Sequence, residues 1–84
     1  MYDLNNDDVA EQIHALPPDA RAAFDELCTV IALVPWHSEP ASHHNPDGQV
    51  RFAPFNSASG SGFVYYLILE DQHRVDLLEM IWIG

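Results

Sequence analysis

Apolar residues recur at helical spacing through the first 34 residues of the chain. The period predicts a first helix over residues 6–16 and a second over residues 18–34. Pro17 disfavours the α conformation of the residue before it, so the first helix ends there, and Pro35 stops the second. Two helices joined at a Pro-Pro elbow are typical of an αα-hairpin. The apolar stripes consist of Val9, Ile13 and Leu16, then Ala20, Ala23, Phe24, Leu27, Ile31 and Val34.

The last third of the chain has the pattern of a long apolar β-hairpin. Two apolar runs, residues 63–69 and 75–83, flank the polar residues 70–73, which is the order strand, turn, strand. The first run is apolar at odd and even positions alike, so we expect a central strand that is covered on both faces. Strict alternation in the second run places Val75, Leu77, Glu79, Ile81 and Ile83 on one face, and Asp76, Leu78, Met80 and Trp82 on the other.

Shorter segments complete the predicted fold. Residues 2–4 form an extended start, and residues 35–49 form a long loop that holds three of the six prolines. A short strand follows over residues 50–55, and a flexible connection over residues 56–61. The predicted class is α+β, with an N-terminal αα-hairpin packed on one face of a small antiparallel sheet.

The chain length and its single cysteine limit the class of protein. With 84 residues, the chain forms one domain over residues 1–84. Neither a transmembrane run nor a secretory leader pattern is visible, so no membrane association is expected. Cys28 has no cysteine to pair with, which fits a cytoplasmic location, and its apolar neighbours indicate a small buried hydrophobe.

Charge excludes some partners and favours others. Three arginines, no lysine and 13 acidic residues give a formal net charge of -10. Such a surface repels phosphate backbones and favours basic partners, so non-specific nucleic-acid binding is disfavoured at neutral pH. Five histidines reduce this negative charge only below about pH 6.5.

Four segments share their pattern and order with a known family. They are residues 15–23 between and opening the helices, 48–51 entering the sheet, 62–68 in the central strand and 74–78 in the last strand. Together they resemble the RelE/ParE family of small bacterial toxins from toxin–antitoxin modules. The resemblance implies a cytoplasmic toxin that a cognate antitoxin protein neutralises. Ribosome-dependent mRNA cleavage is typical of the RelE branch, and gyrase inhibition of the ParE branch.

The RelE-like reaction implies a site with ribosome and mRNA as partners. Cleavage needs a general base for the ribose 2′-OH, cations for the phosphate and an acid for the leaving group. The strand arginine, Arg51, is suited to orienting a phosphate; alternatively, it pairs with an acidic residue on the sheet surface. The candidate catalytic residues are Arg51, His43, His44, His73 and Arg74.

Two positions depart from the family pattern. RelE-like enzymes typically carry an arginine early in the central strand, where this chain has Phe63. They usually end in a basic or His/Tyr-bearing segment, where residues 81–84 are Ile-Trp-Ile-Gly. These differences and the negative charge favour an alternative function, a non-catalytic protein-interaction module on the same scaffold that binds a basic partner.

The loop histidines offer a third hypothesis. His37, His43 and His44 share one loop with Glu39 and Asp47, a pattern that indicates a metal-binding or pH-responsive domain as an alternative. Adjacent histidines point in different directions and no helical His spacing exists, which argues against a structural zinc site. Solvated loop histidines are the simpler interpretation, and we expect no metal and no cofactor.

Overall fold

Within the described part of the chain, a short strand and two helices precede four further strands. The computed structural model describes residues 1–41 and 48–84. Single turns of 3-10 helix lie at Asp7–Val9, Pro35–His37 and Glu70–Gln72. The main elements are β1 (Asp3–Asn5), α1 (Ala10–Ala15), α2 (Pro18–Leu33), β2 (Glu39–Pro40), β3 (Val50–Ser57), β4 (Gly60–Leu69) and β5 (Arg74–Ile83).

Both predicted helices are present, and each is slightly shorter than predicted. The first begins as the 3-10 turn and continues as α1, and Leu16 is extended before Pro17, with ψ of 142°. α2 begins at Pro18 and ends one residue before Val34. Among residues 1–41 and 48–84, no helix combines the length and the apolar content that crossing a bilayer requires.

The strands form one mixed sheet in the order β1-β5-β4-β3-β2. The pairs β2–β3, β3–β4 and β4–β5 are antiparallel, whereas β1 runs parallel to β5. The α+β class is therefore confirmed, but the prediction of a purely antiparallel sheet is wrong at this edge. Most of the chain separates β1 from β5, so no hairpin turn dictates their relative direction.

A tight turn replaces the flexible connection predicted over residues 56–61. β3 continues to Ser57, which pairs with Gly60 at the start of β4. Gly60 has a φ of 149°, a conformation that side-chain-bearing residues rarely adopt. The carboxylate of Asp19 in α2 accepts hydrogen bonds from the Ser59 backbone N–H at 3.0 Å and hydroxyl at 2.7 Å. The first turn of α2 thus holds the β3–β4 turn.

β5 contains a β-bulge at Leu78. Tyr65 pairs with Glu79 and Tyr66 pairs with Leu77, so Leu78 has no partner on β4. One extra residue exchanges the two faces of the strand from that point on, so the strict alternation predicted for β5 is wrong beyond Leu77. The helix-covered face holds Val75, Leu77, Met80 and Trp82, and the opposite face holds Asp76, Glu79, Ile81 and Ile83.

The core lies between the helices and one face of the sheet. Tyr66 of β4 is fully buried there, and its hydroxyl donates a hydrogen bond to the Pro35 carbonyl at 2.7 Å. Cys28 packs against this core, and burial raises the pKa of its thiol to about 11, so the thiol stays protonated. The core cluster comprises Val9, Ile13, Leu16, Ala20, Phe24, Ile31, Ala53, Phe55, Val64, Tyr66, Ile68, Val75, Leu77 and Met80.

β4 is central, as predicted, but the described residues cover only one of its faces. Val64, Tyr66 and Ile68 are buried on the helix side. The alternate residues Phe63, Tyr65, Leu67 and Leu69 are only half-buried. Among the described residues the two helices supply one covering layer, and it lies on the opposite face of the sheet.

Removing the Tyr66 hydroxyl tests the link between the core and the segment after α2. We expect Tyr66→Phe to lower the free energy of unfolding by about 1–2 kcal/mol, because the Pro35 carbonyl loses its donor in a buried position. Tyr65→Phe is the matched control, since the Tyr65 hydroxyl bonds to no residue in 1–41 or 48–84. Urea denaturation measures both variants, and equal losses would contradict the expectation.

The contact between Asp19 and Ser59 gives stability a pH dependence. The hydrogen bond from the Ser59 side chain is the main cause that lowers the pKa of Asp19 from 3.8. Because the pKa of Asp19 is lower in the folded state than in the unfolded state, its ionised carboxylate stabilises the fold. This stabilisation is complete above the unfolded-state pKa and is lost as the pH falls through the folded-state pKa.

We therefore expect Ser59→Ala to destabilise the protein at pH 7 and to have a smaller effect near pH 3. Ser61→Ala is the control, because the Ser61 hydroxyl donates to the neutral Asn56 side chain at 2.7 Å. Urea titrations at both pH values distinguish the variants. A Ser59→Ala effect that does not change with pH would disprove the role of the carboxylate.

Candidate functional site

Arg51 projects from β3 into the helix-covered side of the sheet and is 8% exposed. Its Nε donates to the Gly48 carbonyl at 3.1 Å, and its Nη1 donates to the Ser38 carbonyl at 2.9 Å. The guanidinium carbon lies 5.1 Å from the centroid of the Trp36 ring. Arg51 therefore fixes the segment after α2 against the start of β3.

Glu70 joins three distant parts of the chain at one end of the sheet. Its carboxylate accepts hydrogen bonds from the Tyr2 hydroxyl at 2.6 and 2.9 Å and from the Trp36 indole N–H at 3.4 Å. The His73 ring stacks on Tyr2, with 3.9 Å between ring centroids. The hydrogen bond to Glu70 is the main cause that raises the pKa of Tyr2, because ionisation of the phenol would remove the donated proton. We call these four residues the Glu70 cluster.

An open cleft of about 440 Å³ lies beside the Glu70 cluster. Its walls come from the end of α2 and the 3-10 turn that follows, and Leu33 within them is 57% exposed. The volume falls in the range of small-molecule pockets. The lining is mainly apolar and consists of Tyr2, Leu33, Val34, Pro35, Trp36 and His37.

The structure does not bring Arg51 and Arg74 to one site. Arg51 pairs with Tyr66 and Arg74 pairs with Leu69, and these two positions of β4 point to opposite faces. The Arg74 guanidinium binds the Asp76 carboxylate in a bidentate contact of 2.9 and 3.2 Å. The two arginines thus cannot act together on one phosphate in this arrangement.

The candidate histidines fall into two groups. His73 is exposed in the turn before β5, in the left-handed conformation with φ of 52°, and belongs to the Glu70 cluster. His43 and His44 lie outside the described residues. Within residues 1–41 and 48–84, no group of three or more His, Cys, Asp or Glu side chains has the arrangement of a metal site.

The sheet surface opposite the helices forms a second candidate site, which we call the outer face. Ile83 at its end is 62% exposed, and the ring centroids of Phe52 and Phe63 lie 6.4 Å apart near its centre. An exposed surface of contiguous apolar side chains is typical of a protein interaction site. Its apolar residues are Val50, Phe52, Pro54, Phe63, Tyr65, Leu67, Leu69, Ile81 and Ile83.

One row of the outer face crosses four strands and ends in a carboxylate on each side. Glu39 of β2 pairs with Phe52 of β3. Phe52 pairs with Tyr65 of β4, which in turn pairs with Glu79 of β5. The centroids of the two central rings are 5.6 Å apart. We call this set the carboxylate row, and Glu39 and Glu79 are both exposed at its ends.

Neither end of the carboxylate row is neutralised within the described part of the chain, where the ion pairs are Arg21–Asp25 and Arg74–Asp76. Three strand spacings separate Glu39 from Glu79, which corresponds to about 14 Å between their Cα atoms. The outer face therefore presents an aromatic centre between two negative margins. This arrangement suits an apolar protein surface that carries cations on its flanks.

The sequence interpretation missed the outer face for two reasons. It expected cover on both sides of β4, although two helices are enough for only one layer; the helix count was the available signal. It also placed Glu79 on the same face of β5 as Val75 and Leu77, because the bulge at Leu78 has no sequence signature.

Separate alanine replacements of Arg51 and Arg74 test whether Arg51 stabilises the fold more than a surface arginine does. We expect Arg51→Ala to lower the free energy of unfolding by about 2–3 kcal/mol, because the partly buried carbonyl oxygens of Gly48 and Ser38 lose a charged donor. Arg74→Ala is the control, with an expected loss below about 1 kcal/mol, since its contact with Asp76 is partly exposed. Urea denaturation measures both. Equal stability of the two variants would contradict the structural role of Arg51.

The two surfaces differ in chemistry. The cleft beside the Glu70 cluster is small and mainly apolar, with a tyrosine and a histidine in its wall. The outer face is broader, with aromatic residues at its centre and a carboxylate at each side. Neither the protein-family models nor the curated proteins compared with this chain give a match.

Proposed function

We propose that this chain is a RelE/ParE-like domain that acts by binding proteins, and that its outer face is the binding surface for a basic partner. The observation that carries the proposal is the half-buried, solvent-accessible aromatic centre of that face, with the exposed Glu39 and Glu79 at its margins. Burial of such a surface by a partner supplies the hydrophobic free energy of association.

Charge supports the choice of a basic partner. The formal net charge of -10 attracts positively charged proteins and repels RNA phosphates. Each of the three arginines also has a partner of its own: Arg21 with Asp25, Arg51 with backbone carbonyls and Arg74 with Asp76. The proposal therefore needs no cation on the surface, whereas RNA cleavage does.

The resemblance to the toxin family gives this binding a biological setting. In that setting the chain acts in the bacterial cytoplasm, and the partner that covers the outer face is the cognate antitoxin. An antitoxin on this face would block every other protein from the same apolar surface. Neutralisation by simple occlusion follows.

The second candidate function is the ribosome-dependent endoribonuclease, and the exposed His73 is the observation in its favour. The imidazole is accessible and stacks on Tyr2, whose hydroxyl is held by Glu70. These groups are chemically able to carry a proton to or from a ribose hydroxyl. Stabilisation of the phosphate is the missing part, because Arg51 and Arg74 are on opposite faces of the sheet.

Expression in a bacterial host tests the main proposal. We expect the wild-type chain to slow growth, and co-expression of the small protein encoded beside it to restore growth through a complex. Phe52→Ser should weaken that complex about tenfold or more, because the residue lies at the centre of the outer face. Leu33→Ser, a change at an exposed apolar residue of α2, is the control and should leave the complex unchanged. Harmless expression without a complex would refute the proposal.

Purified ribosomes carrying mRNA separate the two candidate functions. We expect the mRNA to remain full length in the presence of the wild-type chain. The reason is that the two candidate arginines already have partners within the protein: Arg51 binds the Ser38 carbonyl and Arg74 binds Asp76. Cleavage in the ribosomal A site that is lost in His73→Ala would instead establish the nuclease. Primer extension on the recovered mRNA provides the measurement.

A further inference from the structure

We infer that the occupant of the outer face is an amphipathic α-helix with Lys or Arg on both sides of its apolar stripe. The inference rests on the proposed function and specifies the chemistry of the partner. It follows from the spacing, the direction and the charges of the rows that cross the outer face.

The width of the outer face matches one helix. The carboxylates of Glu39 and Glu79 flank about 14 Å of sheet, and a helix with its side chains is about 10–12 Å across. A helix that lies along the strands therefore fills the aromatic centre and brings its two flanks to the two carboxylates. Long basic side chains bury their methylene stems on the apolar surface while the charged ends reach the margins.

The length of the outer face also suits a helix. The row of Pro54, Phe63 and Ile81 lies on one side of the carboxylate row, and Val50 with Leu67 lies on the other. These three rows span about 13 Å along the strands, the rise of about nine helical residues. Apolar residues at positions i, i+3, i+4 and i+7 of a helix form one stripe, which can contact all three rows of the outer face.

Electrostatics disfavours a second copy of this chain as the occupant. Two outer faces related by a two-fold axis through the carboxylate row would place carboxylates against carboxylates at both margins. Each copy also has a formal net charge of -10. Like charges brought together at an interface oppose association, so the chain is selective for a basic occupant.

Synthetic helices provide the test. The probe is a labelled peptide of about 18 residues with a leucine stripe between two rows of lysine, terminally acetylated and amidated. Two comparison peptides have glutamate in place of lysine, or a central proline pair that breaks the helix. Fluorescence anisotropy with the full chain should show that the lysine helix binds, that salt weakens it, and that both comparison peptides bind at least about tenfold more weakly.

Charge reversal on the protein gives the decisive comparison. Glu39→Lys and Glu79→Lys should each weaken the lysine helix about five- to tenfold, and the double variant should bind the glutamate helix instead. Glu26→Lys, at an exposed position of α2, is the matched control and should change neither affinity by more than about twofold. Thermal melting confirms that each variant is folded.

The outcomes separate this inference from the proposed function. Equal binding of the lysine and glutamate helices, or no binding of the lysine helix, overturns the inference. If the natural partner needs Phe52 but is indifferent to Glu39 and Glu79, the interaction surface stands and its helical, basic occupant does not. A dimer in sedimentation analysis that Phe52→Ser dissociates would show that a second copy occupies the outer face.

Discussion

The unpaired Leu78 of β5 decides which side chains each face of the sheet presents. On its C-terminal side, Met80 and Trp82 face the helices and contribute to the core, while Glu79 and Ile81 face the opposite side. Without the extra residue, the pleat would bury Glu79 and expose Met80. The bulge therefore adds Met80 and Trp82 to the core and Glu79 and Ile81 to the outer face. The negative margin of that face at β5 is a direct result.

The buried Arg51 holds distant segments of the chain together. Arg51 connects β3 to the segment after α2 through backbone carbonyls and the face of Trp36, in a position from which water is largely excluded. Tyr66 connects the same segment to β4 through the Pro35 carbonyl. These contacts supply donors to the buried carbonyl of Pro35 and to the partly buried carbonyls of Gly48 and Ser38.

The Glu70 cluster and the outer face lie in different chemical environments. Glu70 collects the donors of Tyr2 and Trp36, so its carboxylate is already committed to closing the end of the sheet. Glu39 and Glu79 have no counter-charge within the described residues, so they are accessible to one from outside. This difference in counter-charge is the reason why we propose the outer face, and not the Glu70 cluster, as the binding surface.

The sequence by itself determined the two helices, the central position of β4, the α+β class and the negative charge. Periodicity and the proline positions depend only on near neighbours in the chain, and for that reason they could be predicted. Tertiary structure alone decided the parallel β1–β5 pair, the bulge at Leu78, the burial of Arg51 and the accessibility of the outer face. Each of these depends on which distant strand supplies a hydrogen-bonding partner and in which register, and local sequence carries no record of that choice.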